Sequence, residues 1–179
     1  VLTPNIPIIF VRMDTPKLTV RPATIDDLPL IREIAFNVWP GTYVPIIGAQ
    51  QVSYMLDRFY SDDALKQQIQ VGQHFFICED QHKATGFASF TCMDDLHAKL
   101  NKLYILPQQQ GRGIGSLLLG VVKDKARAAG ITTLLVNVNI HNRQAIEFYN
   151  RTGFSLLKSE DIAIGNGYYM NDHVLQLPL

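Results

Sequence analysis

The apolar positions of this chain change period several times, and each change marks an element. Leu18-Thr19-Val20-Arg21-Pro22 alternates and predicts a first strand. Thr24 or Asp26 is placed to cap a helix in which Leu28, Ile31, Ala35 and Val38 form one face, with Pro29 tolerable only in its first turn. Trp39-Pro40-Gly41-Thr42-Tyr43 predicts a break. Val52, Met55, Leu56 and Phe59 then give a second helix at i, i+3, i+4, i+7. Ser61-Asp62-Asp63 starts a third, ending before Gly72. Residues 75–79 and 84–93 read as a hairpin, with Gly86 a bulge or a point of close packing. Residues 98–106 give a fourth strand closed by Pro107. A helix carrying Leu118, Val121, Val122 and Ala126 runs to about Gly130, and residues 132–138 make a fifth strand, rich in β-branched side chains. His141 or Asn142 opens a helix ending at Gly153. The tail, from Phe154 to Leu177, predicts two strands joined across Gly165-Asn166-Gly167. Neither repeat, linker nor low-complexity segment interrupts this order.

Composition narrows the reading. The chain has 179 residues, enough for one domain with a substantial core, and 16 basic side chains balance 16 acidic ones. A neutral chain lacks the broad basic footprint of a nucleic-acid binder. Cys78 and Cys92 fall in predicted strands without metal-like spacing and are expected to be reduced thiols in or near the core. Residues 1–10 carry an apolar run too short to span a membrane and broken by Pro4 and Pro7, and no other stretch approaches a span. The expectation is an N-terminal extension over 1–17, partly disordered and with Met13 a candidate natural start, before a single domain over 18–179. A cytoplasmic location is the default.

The chemistry concentrates between the fourth strand and the next helix. Pro107 is followed by three glutamines and then by Gly111, Gly113 and Gly115, alternating with Arg112 and Ile114. Glycines allow backbone to approach a ligand, and a helix N-terminus offers unpaired N–H groups and the positive end of its dipole. Together they suit a phosphate or pyrophosphate. No Lys follows as a P-loop requires. The third glycine of a dinucleotide fingerprint is replaced by Ser116, and no acid stands about 20 residues on. The pattern Gln/Arg-x-x-Gly-x-Gly/Ala is met by Gln110, Gly113 and Gly115; a tight turn without ligand is the alternative. Downstream, Asn142-Arg143-Gln144-Ala145-Ile146-Glu147-Phe148-Tyr149 precedes Gly153-Phe154.

With these two segments in this order, the sequence resembles the GNAT acetyltransferases from about Leu18 to Leu177. The resemblance implies an α/β fold, a central mixed twisted sheet of about seven strands flanked by helices, with the fourth and fifth strands splayed. It implies acetyl-coenzyme A as co-substrate. Backbone from Gly111 to Ser116, spanning Arg112, Gly113, Ile114 and Gly115 after Gln110, would grip the pyrophosphate. Leu103, Tyr104 and Ile105 would pair with the pantetheine amides, and a backbone N–H near Tyr104 or Ile105 would polarise the thioester carbonyl. Asn142 would bond the pantetheine arm, or cap its helix, or both. Arg151 and Arg143 would meet the 3′-phosphate, or stay exposed. Tyr149 matches the position that protonates the departing sulfur; a core aromatic beside Ala145 and Phe148 is the alternative.

The acceptor half is less defined. Family members often carry a glutamate on the fourth strand as base, whereas here that strand reads Ala98-Lys99-Leu100-Asn101-Lys102. Asp94, Asp95, Asp57 and Glu33 are the candidates that remain. Trp39, Tyr43 and Asp94 are the expected acceptor contacts, with core packing the alternative for the two aromatics and with Asp94 and Asp95 forming an acidic wall. Residues 54–61 with Gly165-Asn166-Gly167-Tyr168 resemble, more weakly, the bacterial spermidine/spermine acetyltransferase-type branch. The expected activity is therefore N-acetylation of a small primary amine such as a polyamine. Acetylation of a protein N-terminus or lysine, or coenzyme A binding by a regulator without catalysis, are the alternatives. No nucleic acid, membrane or metal is expected, and a homodimer is compatible with the reading.

Overall fold

The structure, a computed structural model, describes residues 18–179, so the expectations for 1–17 lie outside the described residues. Seven strands form one mixed sheet: β1 (Leu18–Pro22), β2 (His74–Asp80), β3 (Lys83–Cys92), β4 (His97–Ile105), β5 (Thr133–Asn139), β6 (Ser155–Gly165) and β7 (Tyr168–Pro178), in the order β1-β2-β3-β4-β5-β7-β6. Among the described residues, only β4 and β5 are parallel neighbours. Among the described residues, four α-helices cover the sheet: α1 (Leu28–Tyr60), α2 (Asp62–Gln70), α3 (Ile114–Ala128) and α4 (Arg143–Arg151).

Two cores follow from the alternation of side chains across the strands. On one face Phe76, Phe90, Leu100, Leu134 and Val136 pack under Ile114, Leu118 and Val122 of α3 and Tyr149 of α4. On the other, Phe75, Ile77 and Phe87 meet Ile31, Trp39, Leu56 and Tyr60 of α1 and Leu65 of α2. Cys78 is buried as expected, but Cys92, at the end of β3, is exposed.

The predicted break in α1 is displaced. Trp39 to Tyr43 stay helical, and the kink falls at Gly48, whose φ of 78° and ψ of 158° leave the helix. That conformation carries little strain only without a Cβ, which is why the chain turns there and not at the prolines. Gly86 proves to be a point of close approach: a Cβ there would come within 2.6 Å of the Tyr104 carbonyl oxygen. Thr85 is the extra residue of a neighbouring bulge, its hydroxyl donating to the Cys78 carbonyl at 3.0 Å.

A second bulge sets up the site. Phe90 pairs with Leu100 and Ser89 with Lys102, leaving Asn101 as the extra residue on β4. Bulges bend a strand and sharpen its twist. The pairing of β4 with β5 stops at the same point, its last pair being Leu100 with Val136. Beyond it the two strands diverge, as the resemblance implied.

Candidate active site

Two cavities open where β4 and β5 part. The larger, about 440 Å³, runs from the β4 backbone at Leu103–Ile105 past the glycine loop to α4. The smaller, about 220 Å³, lies under α1 and reaches β7. Tyr43, Asn101, Lys102, Tyr104 and Asn137 line both. A ligand in one cavity therefore meets a ligand in the other at the bulge.

The larger cavity gathers most of the sequence-predicted cofactor residues. Leu103, Tyr104, Ile105, Gln110, Gly111, Gly113, Ile114, Gly115, Ser116, Asn142, Tyr149 and Arg151 all line it. Gly113 stands at the N-cap of α3 with φ of 78°, and space for a Cβ there is open. Among the described residues, the backbone N–H groups from Gly111 to Ser116 have no backbone acceptor. Six free donors around a helix N-terminus make a cradle for a pyrophosphate. The β4 edge that has left β5 offers main-chain groups to an amide-bearing arm. The donor set thus fits coenzyme A.

The loop is also braced. Gln144 donates to the Gln110 side chain at 3.2 Å, and the Gln110 amide donates to the Ile105 carbonyl at 3.4 Å, tying α4 to loop and strand. Gly115 lies against the Phe148 ring, 3.3 Å from where its Cβ would be. Asn142 lines the cavity while its side-chain oxygen accepts from the Ala145 N–H at 3.2 Å, so it is the N-cap of α4 and a cavity residue together.

Arg112 is placed differently. It lines neither cavity; its guanidinium pairs with Asp80 at 2.7 Å and bonds to Gln109, which turns the side chain away from the cradle while its backbone N–H remains one of the six donors. Arg143 is exposed and lines neither cavity. Asp94 is also elsewhere. Its carboxylate accepts from the Leu96 and His97 N–H groups, both at 2.8 Å, and pairs with the His97 ring at 2.9 Å, so it closes the β3–β4 turn. Those bonds hold its carboxyl below the ordinary range. Asp95, Asp57 and Glu33 are exposed and line neither cavity. The expected acidic wall is not formed by these residues.

The smaller cavity carries what sequence reasoning missed. Trp39 and Tyr43 line it, their rings 4.7 Å apart, with Tyr60 and Tyr104 completing an aromatic wall. Burial raises the hydroxyl pKa of Tyr43, Tyr60 and Tyr104 alike, so these phenols stay neutral. The carboxylate in this cavity is Asp172, on β7. It is 6% exposed, burial raises its pKa, and Asn137 offsets part of that through a contact at 3.5 Å. The signal in the sequence is its phase: Tyr168, Met170 and Asp172 alternate on the face turned to α1. Lys99 and Lys102 line the same cavity.

Tyr149 is 7% exposed and packs edge-on against Phe148 and Phe154, at 5.3 and 5.2 Å. It is thus a core aromatic whose ring also borders the larger cavity. Burial pushes its hydroxyl pKa above the ordinary value, so it holds its proton firmly.

Comparison with known proteins agrees with this geometry. Residues 39–154 match the family model described as "Acetyltransferase (GNAT) family". An uncharacterized N-acetyltransferase of Methanocaldococcus jannaschii is 28% identical over 76% of this chain, and the alignment spans 60% of that relative's length. A spermidine N(1)-acetyltransferase of Thermoplasma acidophilum is 24% identical over 78% of this chain and 89% of its own. Among solved structures, the PaiA N-acetyltransferase of Thermoplasma acidophilum in complex with coenzyme A superposes with a TM-score of 0.77, at 21% identity, over 91% of this chain and 99% of that one. No helix among the described residues is long and apolar enough to cross a membrane. The splayed strands, the glycine cradle and the matching family model lead to one conclusion: this chain belongs to the acetyltransferase (GNAT) family.

Proposed function

We propose that this acetyltransferase moves the acetyl group of acetyl-coenzyme A onto the primary amine of a small molecule, polyamines being the first candidates. The observation that carries the reading is the meeting of two cavities at the β4 bulge, one suited to coenzyme A and one walled by aromatics and a buried carboxylate. Free N–H groups from Gly111 to Ser116 take the pyrophosphate. The β4 edge at Leu103–Ile105 holds the pantetheine arm, and a backbone N–H there stabilises charge developing on the acetyl oxygen.

On the acceptor side, the faces of Trp39, Tyr43 and Tyr60 attract an ammonium, and Asp172 supplies its counter-charge. The spermidine acetyltransferase relative supports a polyamine. Lys99 on the same cavity favours a second reading, an amine that also carries an anionic group.

Tyr149 serves the leaving sulfur. A thiol has a reference pKa of about 8.5, below that of any phenol, so full transfer from Tyr149 is uphill. Its hydroxyl therefore acts by hydrogen-bonding the developing thiolate, and gives up its proton only as the reacting nitrogen releases one. Acetyl-coenzyme A with a panel of spermidine, putrescine, amino acids and aminoalkylphosphonates tests the reading by thiol release and product mass. Thiol release dependent on a cationic amine supports the polyamine reading, and preference for an anionic amine supports the second. Tight coenzyme A binding without turnover would point to a regulator.

A further inference from the structure

We propose that Lys102, in its neutral form, is the general base that takes the proton from the acceptor ammonium; the inference rests on the acetyl-transfer reading above. β4 carries no acid from His97 to Ile105, and Asp94, Asp95, Asp57 and Glu33 lie outside both cavities. Lys102 is on β4, immediately after the bulge residue Asn101, and lines both cavities. That is where donor and acceptor must meet.

Its surroundings favour an uncharged amine. Nζ lies 5.1 Å from the Tyr60 ring centroid and 6.0 Å from that of Phe75, and no carboxylate or hydrogen-bond partner reaches it among the described residues. The groups around it can be named. Lys99 and Tyr104 come from β4, Tyr43 and Tyr60 from α1, and Tyr169 and Asp172 from β7; β2 contributes Phe75 and β3 the paired Ser89. The buried phenols carry no charge near neutral pH. The ring faces alone would favour the ammonium, by about 0.5–2 kcal/mol. Desolvation and the like charge of Lys99 outweigh them and bring Lys102 down from 10.5 to about 7. A base is most effective with a pKa near the working pH. A neutral Lys102 also removes the repulsion that an ammonium acceptor would otherwise meet.

The proton balance closes. The acceptor ammonium gives one proton to the Lys102 amine, leaving a free amine and a Lys102 ammonium. The amine nitrogen bonds the acetyl carbon, and the carbon–sulfur bond breaks. The nitrogen loses its second proton to Tyr149 as Tyr149 gives its own to the sulfur. Lys102 then returns its proton to solvent, so the net release is one proton.

The test is the pH profile of kcat/KM for the best acceptor, in wild type and three Lys102 variants. The wild type should show a limb near pH 7, below which the rate falls tenfold per pH unit. Lys102→Met and Lys102→Arg should lose that limb and fall about a hundred- to ten-thousand-fold, with acetyl-coenzyme A affinity kept. Lys102→Cys alkylated with 2-bromoethylamine restores an amine of lower basicity. Its activity should return with the limb moved to lower pH. An Arg variant that keeps the wild-type rate and limb would make Lys102 a charge anchor and overturn the proposal. So would a Met variant with an unchanged profile. Wild type that turns over no amine would instead remove the acetyl-transfer reading, and the base with it.

Discussion

Replacing Lys102 by Met should stabilise the fold, and the gain should depend on pH in a direction fixed by the burial of the amine. The folded pKa of about 7 is depressed from the 10.5 expected of the unfolded chain. Below pH 7 both states are protonated, and the fold bears the full cost of an ammonium withdrawn from water and set near Lys99. Between pH 7 and 10.5 the unfolded chain holds a proton that the folded one has released, so stability rises with pH. At 1.36 kcal/mol for each tenfold change, the interval from 7 to 10.5 sets a ceiling of about 5 kcal/mol. Methionine is similar in length, apolar and adaptable, and never bears this cost. The variant should therefore exceed wild type by up to about 5 kcal/mol at pH 6, and the difference should shrink steadily by pH 9. With a urea slope of about 1–3 kcal/mol/M, a gain of half the ceiling moves the midpoint by about 0.8–2.5 M. Urea melts of both proteins at pH 6, 7, 8 and 9 supply the measurement, and the difference cancels groups common to both. Work above pH 10 is avoided because the buried tyrosines, whose pKa values are raised, lose their stabilising contribution as pH climbs through that range. A difference that stays constant from pH 6 to 9 would show that Lys102 titrates normally and would refute the reasoning.

Three further outcomes follow from the site. Gly113→Asp places a carboxylate in open space at the cradle, so acetyl-coenzyme A affinity should drop at least tenfold, about 1.4 kcal/mol, by calorimetry with the fold retained; unchanged affinity in a folded variant removes the loop from the site. Tyr149→Phe keeps the ring packing on Phe148 and Phe154 and should lower kcat about a hundred- to ten-thousand-fold with little change in the KM for acetyl-coenzyme A. A viscosity series must show that chemistry limits the rate; full activity under that condition makes Tyr149 a core aromatic only. Asp172→Asn should raise the KM for spermidine more than for a neutral-tailed amine, and equal effects on both would take Asp172 out of cation recognition.

The local signals of this chain were legible because they depend on neighbours in sequence. The change from strand to glycine loop to helix at Leu103–Ser116 shows in period and in residue type, and both survive in β4, the cradle and α3. Asn142 reads as a cap because capping spans three residues, up to the Ala145 N–H. What stayed hidden depends on partners far along the chain. The Arg112 backbone N–H stays in the cradle, but its guanidinium turns to Asp80, 32 residues away, a pairing that no local pattern announces. Asp172 reaches the smaller cavity because β7 pairs antiparallel to β5, with Asp172 opposite Asn139. Asp94 looked available for an ammonium, but the β3–β4 turn consumes its oxygens. Pro40 and Gly41 suggested a break, whereas α1 bends at Gly48, where the backbone enters positive φ. Lys102 was visible as the absence of an acid on β4; its significance required the rings of Tyr60 and Phe75 around it.

The central claim is that the bulge at Asn101 brings coenzyme A's acetyl group and a small amine together. The most direct measurement is product mass from acetyl-coenzyme A and the amine panel, with free thiol counted in the same reaction. The account predicts one acetyl added per thiol released, on a primary nitrogen, with the rate lost in the Tyr149→Phe variant. Thiol release without any acetylated amine, or acetylation only of protein N-termini and lysines, would contradict it.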